Sequence, residues 1–234
     1  MRKRKWYIIL IVSIIIVFIL IYNITSYYFD YKKDLELKKE LEQIEKYDFD
    51  TLKKINQDIV GYIEVKNTNV SYPIVKSSDN SYYLNHSYDK EKNNVGSIFL
   101  DYRNDLENLS RNNIIYGHGR LDKSMFGSLN NLLEKDWLSN KDNYYITVTT
   151  PNKIMTFKIF SVYTIDKESY YIKTYFSSNK YFKDFLETIM KRSIYNFGTD
   201  VNTTDKILTL STCKNDFGKR IVVHAKLLKK EETS

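Results

Sequence analysis

The sequence predicts a mostly β domain, a closed or nearly closed barrel of about eight short strands with helical insertions, standing behind an N-terminal membrane helix. Three observations predict it. Segments rich in β-branched and aromatic residues recur between turn signals after residue 60, helical periodicity interrupts them in only a few places, and an unbroken apolar run follows four basic residues at the start of the chain. With 42% hydrophobic and 15% aromatic residues in 234, the chain buries a real core, which excludes wholesale disorder. Seven glycines and two prolines exclude collagen-like or proline-rich sequence, and a single cysteine excludes an intramolecular disulfide and multi-cysteine zinc.

The elements follow in chain order. Arg2, Lys3, Arg4 and Lys5 carry four of the seven net positive charges, so the remaining surface is close to balanced and reads as ordinary solvated lysine and glutamate, not as a nucleic-acid stripe. Trp6 to Tyr22 is broken only by Ser13; as a helix rising about 1.5 Å per residue it just crosses a hydrocarbon core of about 30 Å with help from its flanks. The basic cluster stays cytoplasmic by the positive-inside rule, which puts residues 25–234 outside a single-pass membrane anchor. A cleaved signal peptide needs a shorter apolar core and a small-x-small site, and Asn23-Ile24-Thr25-Ser26-Tyr27-Tyr28 offers none. The division expected is a basic tail over 1–5, the anchor over 6–24, a helical stalk over 25–49 and one catalytic domain over 50–234. Along the stalk Leu35, Leu41, Ile44, Leu52 and Ile55 are spaced as one helical face or two.

Strands are expected at Val60–Lys66, Val70–Val75, Gly96–Leu100, Asn113–Tyr116, Tyr144–Thr149, Lys153–Thr164, Lys206–Leu210 and Arg220–Leu228, with Pro151-Asn152 as a hairpin turn. Helices are expected at Ser124–Leu133, where Met125, Leu129, Leu132 and Leu133 share a face, and at Asn179–Arg192, where Phe182, Phe185, Leu186 and Ile189 do.

On the oxidising side of a membrane a lone thiol has no disulfide partner and is flagged as reactive. Cys213 ends the strand Thr209-Leu210-Ser211-Thr212 and runs into the turn Lys214-Asn215-Asp216-Phe217-Gly218, which presents it at a barrel rim. At its free pKa of about 8.5 only a few per cent of a thiol is ionised at neutral pH, so a nucleophilic cysteine needs a helper, usually histidine. Of three histidines, His224 in an alternating strand reads as structural with its face open, His86 after Tyr82-Tyr83-Leu84-Asn85 reads either way, and His118 leads, because it directly follows a strand and Gly117 and Gly119 let the backbone turn sharply and leave the imidazole unobstructed. Arg220 opens the strand after the Cys213 turn, where a hairpin of this length returns it beside the thiol as a forked donor for a developing oxyanion.

Thr-Leu-Ser-Thr-Cys at 209–213, Tyr-Gly-His at 116–118 and Lys-Arg-Ile-Val-Val at 219–223 resemble the signature of sortases, in the right order over roughly residues 50–228. The helical N-terminal segment, Gly-Ser-Ile-Phe-Leu-Asp-Tyr-Arg at 96–103 and the insertion holding the 179–192 helix resemble class B most closely. The resemblance implies an eight-stranded sortase-type barrel and a cysteine transpeptidase with His118, Cys213 and Arg220 as its catalytic set. It implies that Ser211, Asn80, Leu84, Tyr171 and Ile172 touch a sorting peptide, with no metal or organic cofactor. Its partners are then sorting-motif surface proteins of a Gram-positive cell, cleaved after threonine, and an amine of peptidoglycan or a pilin lysine. Gly119 and Lys214 depart from the residues often found beside the histidine and cysteine, which bears on substrate preference. An extracellular cysteine peptidase and a non-catalytic anchored binding module are the rival readings.

Overall fold

The computed structural model describes residues 2–43, 48–166, 168–213 and 219–233, without the side chains of 2–5, 41–43 and 213. Eight strands close into a barrel: β1 (Ile59–Val65), β2 (Ser71–Val75), β3 (Phe99–Leu100), β4 (Asn112–His118), β5 (Tyr145–Thr149), β6 (Lys153–Ile165), β7 (Ile207–Cys213) and β8 (Arg220–Glu232). Their order around the barrel is β1-β2-β3-β4-β7-β8-β6-β5. All neighbours are antiparallel except β2 with β3 and β4 with β7. The β4–β7 pair is joined by a long crossover that carries β5, β6 and helix α4 (Asn179–Lys191), because parallel neighbours cannot be closed by a tight turn.

All eight expected strands form, with shifted ends. The expected Gly96–Leu100 strand shrinks to two residues because Gly96 takes a left-handed φ of 65° and the Ser97 N–H donates to Tyr83 instead of to a ladder. Asn113–Tyr116 instead runs on through His118, so the histidine is the last residue of a strand and not part of the turn after it. Gly117 serves close packing: a Cβ there would stand 2.7 Å from Ile98 and 2.9 Å from the Phe126 ring. The expected Ser124–Leu133 helix forms as a 3₁₀ stretch over Gly127–Leu133, followed by a helix, α3 (Lys135–Ser139), that the pattern does not signal.

The stalk is continuous with the apolar segment. Helix α1 runs Arg2–Gln43, and α2 covers Phe49–Ile55, capped by Asp48, whose carboxylate accepts the Thr51 N–H at 3.0 Å. Ile44, one of the expected stalk contacts, lies outside the described residues. Within Trp6–Glu40 an 18-residue stretch has mean hydropathy 2.9 and none of it is buried. The next turns do pack: Leu37 joins Leu52, Ile59, Val75 and Tyr83 in a cluster beneath the barrel wall.

On β8 the side chains alternate between two cores. Ile221, Val223 and Ala225 enter the barrel, whereas Val222 joins Phe182, Phe185 and Ile189 of α4 in an outer layer. His224 belongs to that outer side, fully buried, and stacks near Phe160. Burial alone drives its imidazole from 6.5 down to about 3. The native state therefore refuses a proton that the unfolded chain takes up below about pH 6.5. The stabilising share of this residue is complete above that pH and drains away as pH falls toward 3. We expect the melting temperature to fall across that window, and His224→Gln to flatten the slope whatever it does at neutral pH; parallel slopes for the two proteins would refute the burial argument.

Candidate active site

The register of the parallel pair builds the site. Asn112 to His118 align one for one with Ile207 to Cys213, so His118 and Cys213 are Cα partners at the end of neighbouring strands about 4.8 Å apart. Arg220 opens the antiparallel strand on the other side of β7. The Cys213 side chain and the turn Lys214–Gly218 lie outside the described residues, and with them the departure at Lys214.

A cavity of about 460 Å³ opens at this rim, lined by His118, Arg220, Ser211, Asn80, Leu84 and Ile172 among others. Tyr171, expected to touch the sorting peptide, is fully buried behind the cavity: its hydroxyl lies 2.9 Å from Ser211 Oγ and accepts from Arg220 Nη1 at 3.4 Å. It supports the arginine rather than facing the cavity. A larger recess of about 600 Å³ beside α4 is lined by Tyr170, Phe176 and Tyr181 and touches neither His118 nor Arg220.

One ring edge of His118 is fixed. Its Nε2 lies 2.8 Å from the Leu84 carbonyl, and a carbonyl only accepts, so Nε2 carries the hydrogen and Nδ1 is left for proton exchange. Gly96 makes room for that edge, since a Cβ there would meet His118 Cδ2 at 2.9 Å and the Leu84 oxygen at 2.8 Å. Burial pushes the imidazole below the usual histidine value; the Leu84 bond opposes the shift and the Arg120 charge adds to it. His86 has a different setting, stacked on Tyr82 at 4.1 Å with Nδ1 2.8 Å from the Tyr82 carbonyl.

Two buried polar systems fix the wall. Asp101, wholly buried, receives Arg103 through Nε at 2.8 Å and Nη2 at 2.7 Å, Tyr116 Oη at 2.9 Å and Asn80 Nδ2 at 3.0 Å. Burial raises its carboxyl, but these donors outweigh it and hold the group below the usual aspartate value. The same Arg103 Nη2 reaches the Ile172 carbonyl at 3.0 Å. The second system is a directed chain. Tyr170 donates to Tyr163, which donates to His224 Nε2; His224 Nδ1 donates to Thr209, and Thr209 to Asn112 Oδ1. Asn112 Nδ2 then holds the carbonyls of Tyr171 and Lys173. Sequence reasoning gave Asp101, Arg103, Tyr116 and Asn112 no site role, although the 96–103 stretch carried part of the family signal.

A rim cysteine, a desolvated histidine and a forked cation on adjacent strands are the parts that acyl transfer through a thioester needs. The chain matches the Sortase domain family model over residues 63–228. It belongs to the sortase family, in class B. Sortase B of Listeria monocytogenes serovar 1/2a is 42% identical over 183 residues, covering 76% of this chain and 73% of that one. Sortase B of Staphylococcus aureus is 33% identical over 97% of this chain and 98% of its own. Among solved structures, sortase B from B. anthracis in complex with AAEK1 superposes with a TM-score of 0.78 at 38% identity, over 86% of this chain and 99% of that one. The sortase fold thus accounts for the barrel, the insertion and the transpeptidase class.

The tautomer in this sortase is open to measurement. Nitrogen-15 spectra of the imidazoles should show His118 protonated at Nε2 and titrating at Nδ1 below the free histidine value; a resting Nδ1–H form would overturn the assignment of the exchanging nitrogen.

Proposed function

We propose that this sortase is a single-pass membrane enzyme, with its domain outside the cell, that cleaves a sorting motif after threonine and transfers the threonyl group to an amine. The observation that carries this reading is the one-for-one alignment that ends on His118 and Cys213, with Arg220 opening the next strand. The exposed apolar turns of α1 behind the basic residues 2–5 support the anchor, and the strand start at Ile59 and α2 just ahead of it support a domain beginning near residue 50.

In the proposed reaction the Cys213 thiolate attacks the threonine carbonyl carbon. Negative charge develops on the carbonyl oxygen, where Arg220 donates, and Tyr171 behind the guanidinium keeps that fork from swinging away. As the C–N bond breaks, the imidazolium of His118 gives the Nδ1 proton to the leaving amine, and a thioester remains. Now neutral, His118 takes a proton from the incoming amine while the new N–C bond forms and the C–S bond breaks, releasing thiolate. Asn80, Leu84, Ile172 and Ser211 line the rim where the peptide runs, and surface proteins bearing the motif and a peptidoglycan amine or pilin lysine are its two partners.

Cys213→Ala should abolish product and thioester capture, and Arg220→Lys, which keeps the charge but loses the fork, should cost on the order of 10²–10³ in kcat with a much smaller change in KM. Steady-state assay of a sorting peptide with and without an added amine measures both. Near-normal kcat with raised KM in the lysine variant would make Arg220 a peptide-positioning residue, and hydrolysis with no amine product in the wild type would favour a peptidase. For topology, protease added to intact protoplasts should digest the domain while a cytoplasmic marker survives; survival of both places the domain inside.

A further inference from the structure

Transfer brings two substrates to one base, and among the described residues His118 alone lines both of two separate cavities. The first is the rim cavity with Arg220 and Ser211. The second, about 200 Å³, lies on the side of α1 and is lined by Tyr27, Asp30, Asn94, Arg120 and His118. We propose that this second cavity is the acceptor subsite, where Asp30 holds the primary ammonium of the incoming amine beside His118. The proposal rests on the transfer reaction above and adds the place and the recognition of its second substrate.

The charges support it. Arg120 is already balanced: its guanidinium bonds Asp122 through Nη2 at 2.7 Å and Nε at 3.1 Å and lies over the Tyr27 ring at 5.4 Å. Asp30 is not. Its Oδ2 accepts one bond from Asn94 Nδ2 at 2.8 Å, and among the described residues it enters no ion pair. A half-buried carboxylate with one neutral donor retains an open oxygen for a cation, and an ammonium supplies strong, charge-assisted donors. A space this small admits an unbranched aminomethyl end, as on an N-terminal glycine or a lysine side chain. Holding that end against the base raises its local concentration over water, which favours transfer over hydrolysis. Bound on Asp30 as ammonium, the amine loses one proton to solvent before attack and the second to His118 as the amide forms.

The test uses the full chain in detergent with a sorting peptide and two nucleophiles, triglycine, which is an ammonium at neutral pH, and hydroxylamine, which is uncharged. Asp30→Asn keeps the size of the side chain and removes its charge. We expect the triglycine concentration for half-maximal transfer to rise roughly five- to tenfold, with a much smaller shift for hydroxylamine. Equal shifts for both would assign Asp30 to the docking of α1 and overturn the subsite, as would no shift for either. A wild-type protein that forms the thioester yet transfers to neither nucleophile defeats the transfer reading itself, and the subsite with it.

Discussion

Everything at the rim depends on the parallel ladder between β4 and β7. Seven consecutive pairs hold these strands without a bulge, from Asn112 with Ile207 to His118 with Cys213. A slip of one residue reverses the face of every side chain, so the register that seats Ile114, Leu208 and Leu210 in buried positions also decides which residue stands beside the cysteine. The packing of the core and the placement of the proposed catalytic pair are a single constraint. The crossover that a parallel pair demands then supplies the rest: its β6 runs the length of the barrel beside β8, and its α4 seals their outer face through Phe182, Phe185 and Ile189.

The same crossover has to form a wall at the rim, and three successive carbonyls show how it is held. Those of Tyr171 and Lys173 are gripped by Asn112 at 3.1 and 2.8 Å, and that of Ile172 between them by Arg103 at 3.0 Å. Three successive carbonyls are thus held by side chains from two different elements, Asn112 of β4 and Arg103 of the loop after β3. Each clamp ends in a buried group whose bonding is complete, Asp101 in one case and the Thr209–His224–Tyr163 chain in the other. Buried polar groups are costly when unpaired. Loosening the wall therefore means breaking a satisfied network, and this is a physical reason for an irregular loop to keep a fixed shape.

The strands were legible because β-branched and aromatic runs have few other ways to bury their faces. Glycine was harder to read. Gly117 and Gly119 suggested a turn around His118, yet Gly117 lies within β4, where tight packing on Ile98 and Phe126 is what excludes a side chain. Gly96 suggested a strand start, yet its positive φ breaks the ladder and opens space for the imidazole. Composition distinguishes neither use. Cys213, His118 and Arg220 were legible as candidates because few residue types perform acyl transfer, and their placement at strand ends because each adjoins a β-branched run. Asp101, Arg103 and Asn112 were not, since their partners lie on other strands and loops and no local pattern records a contact across the barrel. Tyr171, given a peptide contact by resemblance, lies buried behind Arg220, a placement that only the folded chain reveals.

Helix α1 makes one last connection. Its apolar turns end at Tyr22, and its first contact with the cavity beside His118 comes at Tyr27, five residues on, or about 7.5 Å along a helix axis. On the proposed topology His118 thus stands close to the lipid headgroups, at a distance set by a rigid helix and not by a flexible tether. Tyr27 and Asp30, then Asp34 and Leu37, recur at helical spacing on the face that docks, with Tyr88 Oη reaching the Leu37 carbonyl at 3.4 Å and Lys33 pairing with Glu91 at 3.6 Å. A helix held at several points along about three turns would transmit the orientation of the proposed membrane span to the barrel. The segment proposed as the anchor thereby also orients the candidate site, and a domain cut free of α1 would lose one wall of the cavity beside His118.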